Sequence, residues 1–142
     1  MAALLLLILN LVPACPAEGW VTSDYGRRVH PVSGRRSFHQ GTDIGNVEGT
    51  PVRTPFPGIV RVAGWARGAG RYVVVRTGPL ETRLLHLSSV AVRKGELVYA
   101  GQVVGGMGHS GSATGDHLHL VTRIKGKHVD PWFTRLRCPV SD

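Results

Sequence analysis

Apolar and polar residues alternate along most of this chain with the two-residue period of a β-strand, not the 3.6-residue period of a helix. Ile59-Val60-Arg61-Val62-Ala63 and Tyr72-Val73-Val74-Val75-Arg76 read as a hairpin pair across a Gly/Ala loop at 64–70. Thr82-Arg83-Leu84-Leu85-His86-Leu87-Ser88 follows the Gly78-Pro79 turn as a third strand. Two short strands are expected at 94–98 and 100–105, then a glycine-rich loop from Gly105 to Ser112. That loop delivers the chain to His117-Leu118-His119-Leu120-Val121. There the leucines face a core, and the two histidines project together from the opposite side. Upstream, Gly49-Thr50-Pro51-Val52 and Pro55-Phe56-Pro57-Gly58 enclose a short edge strand. His30-Pro31-Val32-Ser33-Gly34 is a turn flanked by Arg27, Arg28, Arg35 and Arg36. Residues 125–142 are read as a hairpin return in which Trp132 caps the core.

The first eighteen residues break this pattern. Ala2 to Val12 is almost wholly apolar and would span about 17 Å as a helix, short of the roughly 30 Å hydrocarbon core. A secretory leader fits such a run better than a membrane span. The small residues from Ala14 to Ala17 offer a cleavage site, and Val12-Pro13-Ala14-Cys15 resembles a lipobox that would place a lipid on Cys15. No Lys or Arg precedes the run, which leaves open a retained segment that packs on the domain or associates with a membrane. The expected organisation is a leader over 1–18, one globular domain over 19–135 and a tail over 136–142. The expected location is outside the cytoplasm: periplasm, cell envelope or extracellular space, or a virion if the chain is phage-encoded.

Composition sharpens the fold class. A length of 142 residues suits one domain with a core of its own, and 19 Gly and 9 Pro among many Val and Thr residues read as all-β. The formal charge of +8, from 17 Lys and Arg against 9 Asp and Glu, favours a polyanionic partner. Nucleic-acid binding by the arginine cluster would want interleaved aromatics, and only Tyr25 and Phe38 are near, so a basic loop at the rim of a site is the better reading. Cys15 and Cys138 stand at opposite ends outside any CxxC spacing, which excludes a cysteine-based zinc site and leaves their pairing open. The glycine-rich loop is no phosphate loop, because no GK[ST] closes it.

The candidate chemistry lies in the histidines. His117 and His119 on one strand face can begin a metal site but cannot complete it. His39-Gln40-Gly41-Thr42-Asp43 brings an imidazole and a carboxylate together in a strand–turn, a donor pair that suits Zn²⁺. His86, between leucines, reads on its own as a core or rim residue. His30, His109 and His128 take no assigned role.

Four pieces, in order, then carry a resemblance: Tyr25-Gly26-Arg27 with His30-Pro31, His39-Gln40-Gly41-Thr42-Asp43, Leu85-His86-Leu87-Ser88, and Gly111 through Gly115-Asp116-His117-Leu118-His119. From about Gly19 to Trp132 the chain resembles the zinc-dependent peptidoglycan endopeptidases of the lysostaphin/LytM type, the M23 metallopeptidases. The resemblance implies antiparallel sheets forming a groove. It implies one Zn²⁺ held by His39, Asp43 and His119, with His86 and His117 as unligated catalytic histidines. Three protein ligands leave a fourth position for water, whose pKa zinc lowers towards about 7. No HExxH is present, so a glutamate base of the thermolysin type is absent. Two departures stand out. Leu84 occupies a position that is often aromatic, and Val121 one that is often Glu. The implied substrates are peptidoglycan peptides, with anionic wall polymers as partners by charge and no specific nucleic acid. A glycyl–glycine bridge and a D-alanyl–diaminopimelate cross-link both remain open as the bond cleaved. The rival readings are a non-catalytic wall-binding or activator module, whose signature would be Ala at 39 or 43, and a basic surface-binding β-barrel that needs no zinc.

Overall fold

The structure is a computed structural model and describes residues 12–134 and Cys138. The leader up to residue 11 lies outside the described residues, as does the 136–142 tail apart from Cys138, so the readings placed on them stay as expectations. The alternation becomes β1 (Trp20–Ser23), β2 (Gly26–Val29), β3 (Arg36–His39), β4 (Thr42–Gly45), β5 (Pro51–Arg53) and β6 (Gly58–Ala66). The series continues with β7 (Gly70–Thr77), β8 (Leu80–Val90), β9 (Leu97–Val98), β10 (Val103–Met107), β11 (His117–Ile124) and β12 (Lys127–Val129). A single 3₁₀ turn, Pro131–Thr134, follows, and no α-helix occurs among the described residues. The all-β expectation is met.

One ten-stranded sheet runs in the order β1-β4-β11-β8-β7-β6-β9, with β12 on β11 and β10 joining β8 to β5. All its pairings are antiparallel. β2 and β3 form a separate hairpin that carries the four arginines at or beside its strands. Pleating sorts the residues of the main sheet. Leu120 and Thr122 of β11 lie opposite the buried Leu84 and Thr82 of β8, and Leu118 lies opposite the buried Ile44 of β4 on the same core face. His117, His119, Val121 and Arg123 therefore share the other face with Leu85, Arg83 and Glu81. Burying a leucine such as Leu84 or Leu120 contributes about 1.5–3 kcal/mol, and that burial fixes which face the histidines take.

β8 changes partner along its length. Its first half pairs with β11, up to Leu85 opposite His119, and its second half with β10, from Leu87 opposite Met107. His86 sits at the seam. On the β7 side Val73 pairs with Leu84 and Arg71 with Leu87, so β8 carries one extra residue there. Regular alternation would send His86 to the core face with Leu84. The bulge, with His86 at a φ of 65°, re-aims its ring.

Two expectations are corrected. Gly105-Gly106-Met107 belongs to β10 and not to the loop, because a Cβ at Gly105 would collide with the Ser89 carbonyl and only glycine lets β8 and β10 approach. The loop expected at 64–70 shrinks to 67–69, since Gly64, Trp65 and Ala66 extend the ladder to Tyr72, Arg71 and Gly70.

Residues 14–17 pack on the domain. The Ala14 N–H donates to Pro55 O, the Arg53 N–H donates to Pro16 O, and Ala17 is buried in the core. Cys15 is disulfide-bonded to Cys138. One sulfur cannot carry both this bridge and a lipid, so of the two uses expected for Cys15 the structure takes the bridge. Closing a loop of 123 residues restrains the unfolded chain. Reduction, or Cys15→Ser, is expected to lower stability by about 2–4 kcal/mol, read as a lower midpoint of denaturant unfolding. Coincident midpoints for oxidised and reduced protein would contradict a stabilising bridge.

Candidate metal centre

His39 ends β3 and Asp43 is the second residue of β4, so the turn at Gln40-Gly41 joins the arginine hairpin to the main sheet. Gly41 lies against β11, where a Cβ would collide with the Leu120 carbonyl and crowd the His119 ring. Across the ladder Asp43 is directly opposite His119, and on one face of the sheet such residues meet. Asp43 Oδ1 is 2.7 Å from His119 Nδ1 and 3.5 Å from His39 Nε2. The His39 and His119 rings stack at 5.0 Å. One donor atom from each of His39, Asp43 and His119 falls within 4.8 Å of the others. His117 and His86 stand alongside. His117 Nε2 is 3.9 Å from Asp43 Oδ1, and the His86 ring centre is 5.1 Å from that of His117 and 5.9 Å from that of His119. All five residues singled out in the sequence thus come together.

Three of the four imidazoles are oriented by backbone carbonyls. His39 Nδ1 lies 2.8 Å from Asp24 O, His86 Nδ1 2.8 Å from Ser110 O, and His117 Nδ1 2.9 Å from Gly115 O. A carbonyl only accepts, so each contact puts a proton on Nδ1 and, in the neutral ring, leaves the lone pair on Nε2. His119 differs, turning Nδ1 towards Asp43. Burial by itself would raise the Asp43 carboxyl. The hydrogen bond from His119 and the charges of His119, His39 and His117 outweigh it and hold the group below its ordinary value. Burial is also the largest influence on His86 and keeps its pKa below the ordinary histidine value, against the hydrogen bond to Ser110.

The donor set fits a divalent transition metal. Two imidazole nitrogens and one carboxylate oxygen suit Zn²⁺, and bonds of about 2.0–2.2 Å at tetrahedral angles separate ligands by roughly 3.3 Å. The two gaps at Asp43 bracket that value. The carboxylate, already ionised, needs no proton removed to act as a ligand.

Sequence reasoning missed two features. The bulge at His86 has no signature in Leu84-Leu85-His86-Leu87. The other is a contact of 2.7 Å between His109 Nδ1 and Asp116 Oδ1, which closes the mouth of the 108–116 loop. That loop holds His86 through Ser110 O, and its Ser110 hydroxyl donates to Leu87 O and accepts from the Arg71 N–H.

A model of peptidase family M23 matches residues 37–131. The peptidoglycan DD-endopeptidase ShyA of Vibrio cholerae is 43% identical over 105 residues, covering 73% of this chain and 24% of that protein. The crystal structure of a zinc containing peptidase from Vibrio cholerae aligns with a TM-score of 0.75 and 34% identity, over 91% of this chain and 39% of that one. The catalytic domain of lysostaphin from Staphylococcus simulans aligns with a TM-score of 0.73 and 29% identity, over 82% and 92% respectively. The all-β sheet with its histidine-rich face is thus the architecture of a known class of metallopeptidase domains. The chain belongs to peptidase family M23. It spans about a quarter of the length of the curated relatives it matches.

The loop contact has a pH signature. The hydrogen bond to Asp116, then its charge, raises the His109 pKa above the ordinary value. The pairing is therefore complete below the ordinary histidine pKa and is lost as pH rises through the raised one. An NMR titration is expected to place the His109 midpoint above about 6.5 and to return it there in Asp116→Asn. An identical midpoint in both proteins would refute the pairing.

Proposed function

We propose that this domain is a zinc-dependent endopeptidase that hydrolyses peptide bonds in peptidoglycan stem peptides or cross-bridges. The observation that carries the reading is the convergence of His39, Asp43 and His119 within 4.8 Å, beside two further histidines whose Nδ1 atoms are held by backbone carbonyls. His39, Asp43 and His119 would hold the ion. When bound, zinc supplies an acidified water and polarises the peptide carbonyl.

The remaining steps belong to the side chains. His86, kept neutral by burial and fixed as the Nδ1–H form by Ser110, offers its Nε2 lone pair to the water proton. His117, fixed likewise by Gly115, has its Nε2 on the same side as Asp43. Either imidazole, once protonated, can pass the proton to the leaving amine or hydrogen-bond the developing oxyanion. Ser23 sits 3.4 Å from His39 Nδ1 and accepts from Arg28 at 2.7 Å, which ties the basic hairpin to a ligand.

Location and partners follow the same reading. A disulfide persists in an oxidising compartment, which supports the periplasm, the cell envelope or the exterior. Excess positive charge suits a wall rich in carboxylates and anionic polymers. The relative ShyA, named as a peptidoglycan DD-endopeptidase, favours a cross-link between stem peptides over a glycine bridge.

The test is zinc content measured beside muropeptide release. Wild type is expected to bind one zinc per chain and release fragments. His117→Ala should keep the zinc and lose roughly 100-fold or more in rate, while His39→Ala and Asp43→Ala lose the metal itself. Zinc-loaded wild type that releases nothing from cross-linked walls would overturn the reading, as would wild type that binds no zinc.

A further inference from the structure

Past His119, the face that carries the candidate ligands continues through Val121, which is buried, to a charged cluster beyond it. Val121 and Arg123 follow on β11, with Arg83 directly beside Val121 and Glu81 beside Arg123 on β8. On the other flank β12 sets His128 beside Arg123. At about 3.3 Å per residue, Val121 lies roughly 7 Å and Arg123 roughly 13 Å along the strand from His119.

One carboxylate serves both guanidinium groups here. Arg83 Nε donates to Glu81 Oε1 at 2.7 Å, and Arg123 Nη1 is 3.9 Å from the same oxygen. Arg123 Nε donates to His128 Nε2 at 3.3 Å, so that nitrogen carries no proton and the imidazole is neutral. Burial, then the charges of Arg123 and Arg83, lower the His128 pKa and keep it so. Val121 offers Arg83 no charge from β11. Two fixed cations therefore face one anion, with about a third of each arginine side chain open to solvent. The cluster does not neutralise itself. It leaves a positive charge over, with Arg83 and Arg123 both drawn to Glu81, level with Arg123 on the face that carries the histidines.

We propose that Arg83 and Arg123 form a carboxylate-binding subsite, which reads a free carboxylate of the substrate roughly two to four residues from the bond cut. Guanidinium groups suit this task because their N–H groups form a planar fork that matches a carboxylate, and Glu81 pre-orients both. The chemical class selected is an anionic peptide over its amidated counterpart. The inference rests on the endopeptidase reading for its substrate, but not for its binding.

The experiment uses synthetic cross-linked stem peptides in which each free carboxylate is amidated in turn. kcat/KM is measured with the zinc-loaded protein, and binding with zinc-loaded His117→Ala. The expected result is that amidation of one carboxylate weakens both by about 10- to 100-fold. In Arg83→Gln and Arg123→Gln the ratio of acid to amide should fall towards one. A merely structural role would slow acid and amide peptides alike and leave the ratio intact, which would overturn the proposal. So would wild type that treats every acid and amide equally. If no peptide is cleaved but the acid form still binds better, the subsite stands and the endopeptidase reading falls.

Discussion

The site depends on one register: β11 lies against β4 so that His119 is opposite Asp43. That register is held from behind, where Leu118 and Leu120 are completely buried and Leu120 pairs with Leu84. A slip of one residue would turn His117 and His119 into the core and the leucines into the groove. The hydrophobic face of the strand thus does the work of aiming its polar face, and the donors meet without strain in β11 or β4. Gly41 completes the arrangement, because any side chain there would push the turn carrying His39 away from Leu120 and His119.

His86 is positioned by the opposite means. Its strand breaks the pleat at the point where β11 gives way to β10 as its neighbour, and a non-glycine residue adopts a φ of 65°. Such backbone is uphill, and the surrounding contacts keep it in place. The His86 N–H donates to Ala69 O, its Nδ1 to Ser110 O, and Ser110 in turn is bonded to Leu87 and Arg71. Gly70 and Gly111 let the 67–69 turn and the 108–116 loop touch backbone to backbone, where a Cβ on either would collide. In the function proposed, the residues that would hold the metal lie on regular strands, and the residue that would move the proton lies on a strained bulge braced by two loops.

Much of this was legible in the sequence. Period-two alternation gave the strands around Ile59, Val73 and Leu84, and it put His117 and His119 on one face. Gly41, Thr42 and Gly45 marked the strand–turn that joins His39 to Asp43. What alternation could not show was His86, since parity assigns it to the core with Leu84 and only a count of residues against β7 reveals the extra one. Nor could it show that Glu81, Arg83 and Arg123 share a face, because that follows from the register of β8 against β11, strands some forty residues apart. The run at Gly105 misled for a related reason: glycine read as loop chemistry here serves close strand packing. The Cys15 bridge was invisible because pairing is a property of the folded ends. Membership of family M23 supplied what spacing alone left open, the link between the middle histidine and the rest.

The central claim is that His39, Asp43 and His119 together form a zinc site, with His86 and His117 left free. Crystals grown with zinc and measured at its absorption edge test it directly. The account expects one anomalous peak per chain, bonded to His39 Nε2, Asp43 and His119 Nδ1, with neither His86 nor His117 in the coordination shell. A peak held by His86 or His117 in place of His119, or no peak on this face of the sheet, would contradict it.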